Sequence, residues 1–250
     1  MKDIKIKKRG TLPLPTRTGN EANRRVAVIS PHLDDAVLSI GGTIATYVDA
    51  GADVSLITIC GGVPESTKAA GEWDRRAGFA TEGQAAIARR AEDLLACERL
   101  GARPVWLPFT DEQYGGIPKG PLLYTAGESA LGEADFVLIP GFPLSHPDHR
   151  DVAEAIVTRL GGERAVGLYV EQPYALAGGR PKVPPFLPSQ PAMKMGWTRS
   201  RIPRALREVK WRFCQAYASQ LPLLQSEWPL MRMRMELYEL RHGEPVAWLP

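Results

Sequence analysis

The feature that most constrains the fold of this chain is a rhythm. Short apolar runs alternate with longer stretches of helical periodicity. The runs at 26–29 (VAVI), 54–59 (VSLITI), 105–109, 136–139 and 166–170 are short and almost free of polar interruptions. That pattern belongs to strands buried on both faces rather than to strands with one wet side. Between them, residues 36–50 place Val37, Ile40, Ile44, Tyr47 and Val48 near helical spacing, with Gly51 at the stop. Thr81 and Gln84 have the spacing of a capping box and open a helix that runs to Leu100 and stops at Gly101. Residues 147–160 form a helix with Pro147 in the first turn. Strand, helix, strand, helix specifies an α/β fold: a doubly wound, mostly parallel sheet with helices on both faces. Ligands of such sheets bind outside the carboxyl ends of the strands.

Neither a second core nor a repeat interrupts the pattern, so residues 23–250 are expected to be a single domain. Residues 1–22 are expected to be a basic, solvated arm. Its first nine residues carry five lysines and arginines against Asp3, more than the +3 net charge of the whole chain. The remainder is close to neutral, which gives no reason to expect nucleic acid as a partner. Residues 61–79 look like a long polar loop. The proline-interrupted stretch 173–204 is irregular, a lid or a wrapping loop. A helix is expected near 205–221, and Met231, Met233 and Met235, alternating with arginines, suggest an amphipathic strand. No run of apolar residues is long enough to span a membrane and no apolar leader opens the chain. Three widely spaced cysteines suit neither a disulfide framework nor a cysteine zinc site. A cytoplasmic location is the expectation, and a homo-oligomer is left open.

The chemistry gathers in two short segments. Of four histidines, three fall in Pro31-His32-Leu33-Asp34-Asp35 and His146-Pro147-Asp148-His149. Each segment follows an apolar strand and opens a helix, so the fold puts both at the sheet edge that holds active sites. Two adjacent aspartates repel one another and call for a positive neighbour. His32, Asp35 and His149 form a His-His-Asp donor set of the kind that holds one catalytic zinc with a position left open. Asp34 is then a spare carboxylate, suited to act as general base. His146 is the natural cation or acid at the other side of a tetrahedral intermediate, and Asp148 could accept the second ring N–H of a nearby histidine. Alone, Asp-Asp at a helix start is ordinary N-terminal charge complementation. It is the pairing of the two segments that argues for a metal.

SPHLDDAVLSIGGTIA followed by HPDH resembles the PIG-L (LmbE-like) family of zinc-dependent N-deacetylases. The resemblance implies a Rossmann-like fold and one zinc per chain on His32, Asp35 and His149. It further implies Asp34 as general base and His146 beside the reacting group, and a small N-acyl amino sugar or glycoside as substrate. LPFTDEQ resembles the family stretch whose aspartate contacts sugar hydroxyls, here Asp111. ARRAEDLLACERLGA resembles the family's Arg-and-Glu helix, and AYASQL and MELYEL its C-terminal helix and closing strand. Two positions depart from the family motif: Leu33 stands for the usual proline and Ala36 for the usual glutamate.

Trp73, Arg75 and Arg76 lie in GEWDRRAGF, which suits either sugar stacking with an arginine contact to an anion or an ordinary amphipathic loop. Cys60 ends the second strand near the expected site, and His242 is expected at the surface. Three functions remain open at this point: a sugar N-deacylase, a zinc amidase on a non-sugar conjugate, and a sugar-binding relative without catalysis. Nucleotide redox chemistry is disfavoured, because the first strand is followed by no G-x-G-x-x-G.

Overall fold

The computed structural model describes residues 23–117, 129, 131–132, 134–160, 163–178, 181–182, 184, 186–187, 197–198 and 204–249. The N-terminal arm and most of the 173–204 stretch lie outside them. A six-stranded sheet runs in the order β3-β2-β1-β4-β5-β6. Its strands are β1 (Arg25–Ser30), β2 (Asp53–Thr58), β3 (Arg103–Trp106), β4 (Phe136–Phe142), β5 (Ala165–Val170) and β6 (Val246–Trp248). β1 to β5 are parallel, and β6 alone is antiparallel, on β5.

β1, β2, β4 and β5 form where the apolar runs require, because each strand's two sets of alternate residues enter two different cores; β3 ends at Trp106, inside the 105–109 run, and none of its residues is fully buried. Val26 and Val28 pack on one face with α1 (Asp35–Asp49) and α3 (Glu82–Leu100). Ala27 and Ile29 pack on the other with α4 (Pro147–Leu160). The sheet is therefore covered on both faces, as the unbroken strand composition demands. Thr81 caps α3 by accepting from the Gln84 N–H, and the Gln84 side chain reaches back to the Ala80 N–H. Gly101, at φ 74°, closes the helix in the left-handed conformation.

Four elements differ from the expectation. Residues 61–79 include a short helix, α2 (Glu72–Arg76). The helix expected over 205–221 is two, α5 (Arg204–Cys214) and α6 (Leu221–Glu227), with Pro222 in the first turn of α6. The Met-Arg alternation belongs to a helix, α7 (Met231–His242): Met231 and Met235 are buried four residues apart while Met233 is exposed. MELYEL lies within α7, and the closing strand comes later, as β6.

α1 is bent at Ile40, whose φ −131° and ψ 27° are not helical. The bend frees the Gly42 and Thr43 N–H groups, and both donate to the buried Glu244 carboxylate, at 3.0 and 2.6 Å. The buried ammonium of Lys210 on α5 pairs with that carboxylate at 2.9 Å and with Glu239 of α7 at 2.6 Å, and also donates to the Ser39 carbonyl. Gly41 lets the helices close: a Cβ there would meet the Lys210 stem at 3.3 Å.

Candidate metal and catalytic site

β1 and β4 are neighbours whose connections leave in opposite directions, β2 on one side and β5 on the other. This is the switch point of a doubly wound sheet, where a crevice opens at the strand ends. Residues 31–35 leave β1 into that crevice, and residues 143–149 leave β4 into it. Ser30 fixes the first turn, donating to the His32 carbonyl and accepting from the Ala36 N–H.

His32, Asp35 and His149 meet there. His32 Nδ1, Asp35 Oδ2 and His149 Nε2 form a triangle with all three edges at 3.1 Å. A tetrahedral zinc about 2.0–2.1 Å from each donor needs edges of about 3.3 Å. The donor set thus fits zinc to within about 0.2 Å, with one atom per residue and a position left open. The outward-facing nitrogen of each histidine meets a carboxylate: Asp148 Oδ2 lies 3.0 Å from His32 Nε2, and Glu171 holds His149 Nδ1. Such carboxylates fix the tautomer and turn the other nitrogen toward the metal.

Charge is dense and buried. Burial opposes ionisation of Asp35, but His149 and His32 overcome it and hold this carboxyl well below its usual range. Burial would lower both histidines, yet carboxylates win: Asp35 and Glu171 push His149 up to about 9, and Asp148 and Asp35 raise His32. Asp34 is pushed the other way. Burial, then the charge of Asp35, raises it to about 6, against the pull of Arg89 and His32. Burial and the other two histidines lower His146.

A cavity of about 520 Å³ opens onto this cluster, lined in part by His32, Asp34, Asp35, Arg89, Asp111 and His146. His146 accepts from the Asp148 N–H through Nδ1, which puts the proton of its neutral ring on Nε2. Asp111 Oδ2 is 3.7 Å from His32 Nε2, while Oδ1 caps the turn at 112–114. Trp73 lines the cavity and donates to Gln220. Arg75 and Arg76 do not line it. Arg75 donates to the Ala70 carbonyl, and Arg76 pairs with Glu227 and stacks on Trp73. Cys60 is buried against His32, and His242 is half-buried on Tyr238.

Three site residues were missed. Arg89 is nine-tenths buried beside Asp74 and Asp34, and its Nε has no partner. Glu171 had a readable signal, an acid directly after an apolar strand. Tyr174, which stands edge-on to His149 at 5.3 Å, had none. Ala36 is fully buried in the core, so that position offers the site no polar side chain; the carboxylate on His149 is that of Glu171.

A family model described as PIG-L, GlcNAc-PI de-N-acetylase, matches residues 27–160, while no curated protein matches the chain significantly. Among solved structures, the A40926 pseudoaglycone deacetylase Dbv21 is 24% identical over 91% of this chain and 96% of that one, with a TM-score of 0.74. A deacetylase triple mutant of the teicoplanin biosynthetic pathway is 26% identical over 90% and 97%, at 0.72. The N,N'-diacetylchitobiose deacetylase from Pyrococcus horikoshii is 20% identical over 91% and 84%, at 0.60. The family match covers more than half of the residues and includes both histidine segments, and the chain belongs to the PIG-L family.

Proposed function

We propose that this protein is a zinc-dependent hydrolase that removes an N-acetyl or other N-acyl group from an amino sugar or glycoside. The observation that carries the reading is the 3.1 Å triangle of His32 Nδ1, Asp35 Oδ2 and His149 Nε2, beside a fourth acid, Asp34, left free of that triangle. A zinc ion held by these three residues supplies Lewis-acid polarisation of the acyl carbonyl and lowers the pKa of water. Asp34 takes a proton from the attacking water. Its raised pKa, closer to neutral pH, makes it a better base for that proton while keeping it acidic enough to pass it on, and the leaving nitrogen receives it as the C–N bond breaks. His146, held neutral, directs Nε2–H toward the acyl oxygen as negative charge builds there. Asp148 and Glu171 keep the two donor histidines oriented.

The printed names of the similar structures, deacetylases of glycopeptides and of a chitobiose, support an N-acylated sugar as substrate. Asp111, at the cavity rim, is the proposed partner of sugar hydroxyls, with Trp73 as a stacking surface. Arg76 supports Trp73 from behind, and Arg75 belongs to the loop rather than the site. The deciding experiment measures zinc content and free-amine release over N-acetyl sugars, glycosides and simple amides. One zinc per chain with amine release from the sugars is expected. Release only from non-sugar amides favours the amidase alternative. Zinc without release from any compound leaves a sugar-binding protein.

A further inference from the structure

The cavity has two chemically different sides, and they attach to different corners of the donor triangle. Behind each donor histidine, outside the cavity lining, sits one carboxylate: Asp148, 3.0 Å from His32 Nε2, and Glu171 on His149 Nδ1. Within the lining the corners differ: at the His32 corner stand Asp111, 3.7 Å from His32 Nε2, and Glu112. At the His149 corner stands Tyr174, with ring centroids 5.3 Å apart. Trp228 packs edge-on against Tyr174 at 6.3 Å. Leu224 is one turn before Trp228, whose N–H it receives, and Leu38 is one turn after Asp34 on α1. All four apolar residues line the cavity.

An amide held at the triangle extends in two directions, the amine and the acyl group. The amine side carries a polyol and gains positive charge as it leaves, which fits the acidic corner. The acyl side is left with the apolar corner. An acetyl group ends one carbon beyond its carbonyl, whereas the apolar lining comprises Leu38, Tyr174, Leu224 and Trp228, with Gln220 and Glu227 beside the last two. We infer that the Leu38–Tyr174–Leu224–Trp228 wall receives an apolar N-acyl chain longer than acetyl, which makes a medium-chain N-acyl amino sugar the substrate class of this site. The inference rests on the deacylase reading and adds to it the identity of the group removed.

The test is a series of N-acetyl, N-butanoyl and N-hexanoyl derivatives of one methyl glycoside, followed by free-amine release with zinc-loaded protein. Each methylene that leaves water is worth up to about fourfold in kcat/KM, so the four extra methylenes of hexanoyl set a ceiling of about 250-fold and burial of half of them gives a preference over acetyl of about tenfold or more. Trp228→Ala should flatten the dependence on chain length, and Leu224→Trp should lower hexanoyl relative to acetyl about tenfold by filling the wall. Zinc content and melting temperature check that both variants fold, and the wild-type series decides without them. Equal rates along the series, or acetyl fastest, would overturn the inference while leaving the deacylase reading standing. A preference that follows an aromatic aglycone at fixed acetyl would overturn it too and assign the wall to the amine side. No amine from any member, with one zinc bound, would overturn the deacylase reading and the inference together.

Discussion

Replacing Asp34 by asparagine separates what this carboxylate does for turnover from what it costs the fold. The side chain is buried at the cavity floor with Asp35 beside it, and its pKa stands at about 6 instead of 3.8. A carboxyl whose folded pKa is raised contributes stability that is fully present below the unfolded pKa and is lost as pH rises through the folded one. For Asp34 the loss runs from about pH 4 to about pH 6 and is complete above that. Two units at 1.36 kcal/mol each make it about 3 kcal/mol, an upper bound because Asp35 shares the coupling. Asparagine has the same shape and no charge to desolvate. In chelator-treated protein at pH 8, Asp34→Asn should therefore melt higher than wild type, by up to roughly 6–12 °C for a chain of this length. At pH 4 the two proteins should melt together. Calorimetry at both pH values is the assay. Once zinc is restored the variant should bind it normally and lose about 10²–10⁴-fold in turnover. Equal melting at pH 8, or a gain of the same size at pH 4, would refute the electrostatic account. Undiminished turnover would remove Asp34 as the base.

His149→Ala removes one corner of the triangle and should take zinc content from one per chain to near zero by elemental analysis. Glu171→Gln keeps an acceptor near the Leu144 N–H but removes the anion on His149 Nδ1, and zinc affinity in a chelator competition should fall about 10–100-fold with the fold intact. Lys210→Met strands the Glu239 and Glu244 carboxylates in the interior and should cost about 3–5 kcal/mol in urea unfolding at neutral pH.

The fold was legible where burial alone dictates residue choice. Strands covered on both faces must be apolar throughout, so β1, β2, β4 and β5 announced themselves. β6, three residues long, carries too little pattern to detect. α7 misled because Met231, Met233 and Met235 alternate with arginines at the period of a strand, while the residues that enter the core, Met231 and Met235, are spaced for a helix. The site was legible where one turn delivers several ligands, as in residues 32–35 and 146–149. Glu171, Arg89 and Tyr174 come singly, from the end of β5, the middle of α3 and the turn after residue 173, and only the folded sheet brings them together. The arginines at 75 and 76 were misjudged for the converse reason. Residues adjacent in sequence on a short helix point to different surroundings, and Trp73 alone of that segment's candidate residues faces the cavity.

The Glu244 carboxylate, clasped by the Gly42 and Thr43 N–H groups and by Lys210, carries a consequence for the order of assembly. The helix that presents Asp34 and Asp35 is synthesised well before the acid that caps its second half, Gly42 and Glu244 being 202 residues apart. At about 5–20 residues per second the nascent helix waits on the order of 10–40 s for that acid. Until then the bend at Ile40 has no anion to satisfy it. The metal-binding turn is therefore encoded early and completed late. A ribosome stalled before residue 244 would hold a chain with every proposed metal ligand already made and the helix behind them still unfastened.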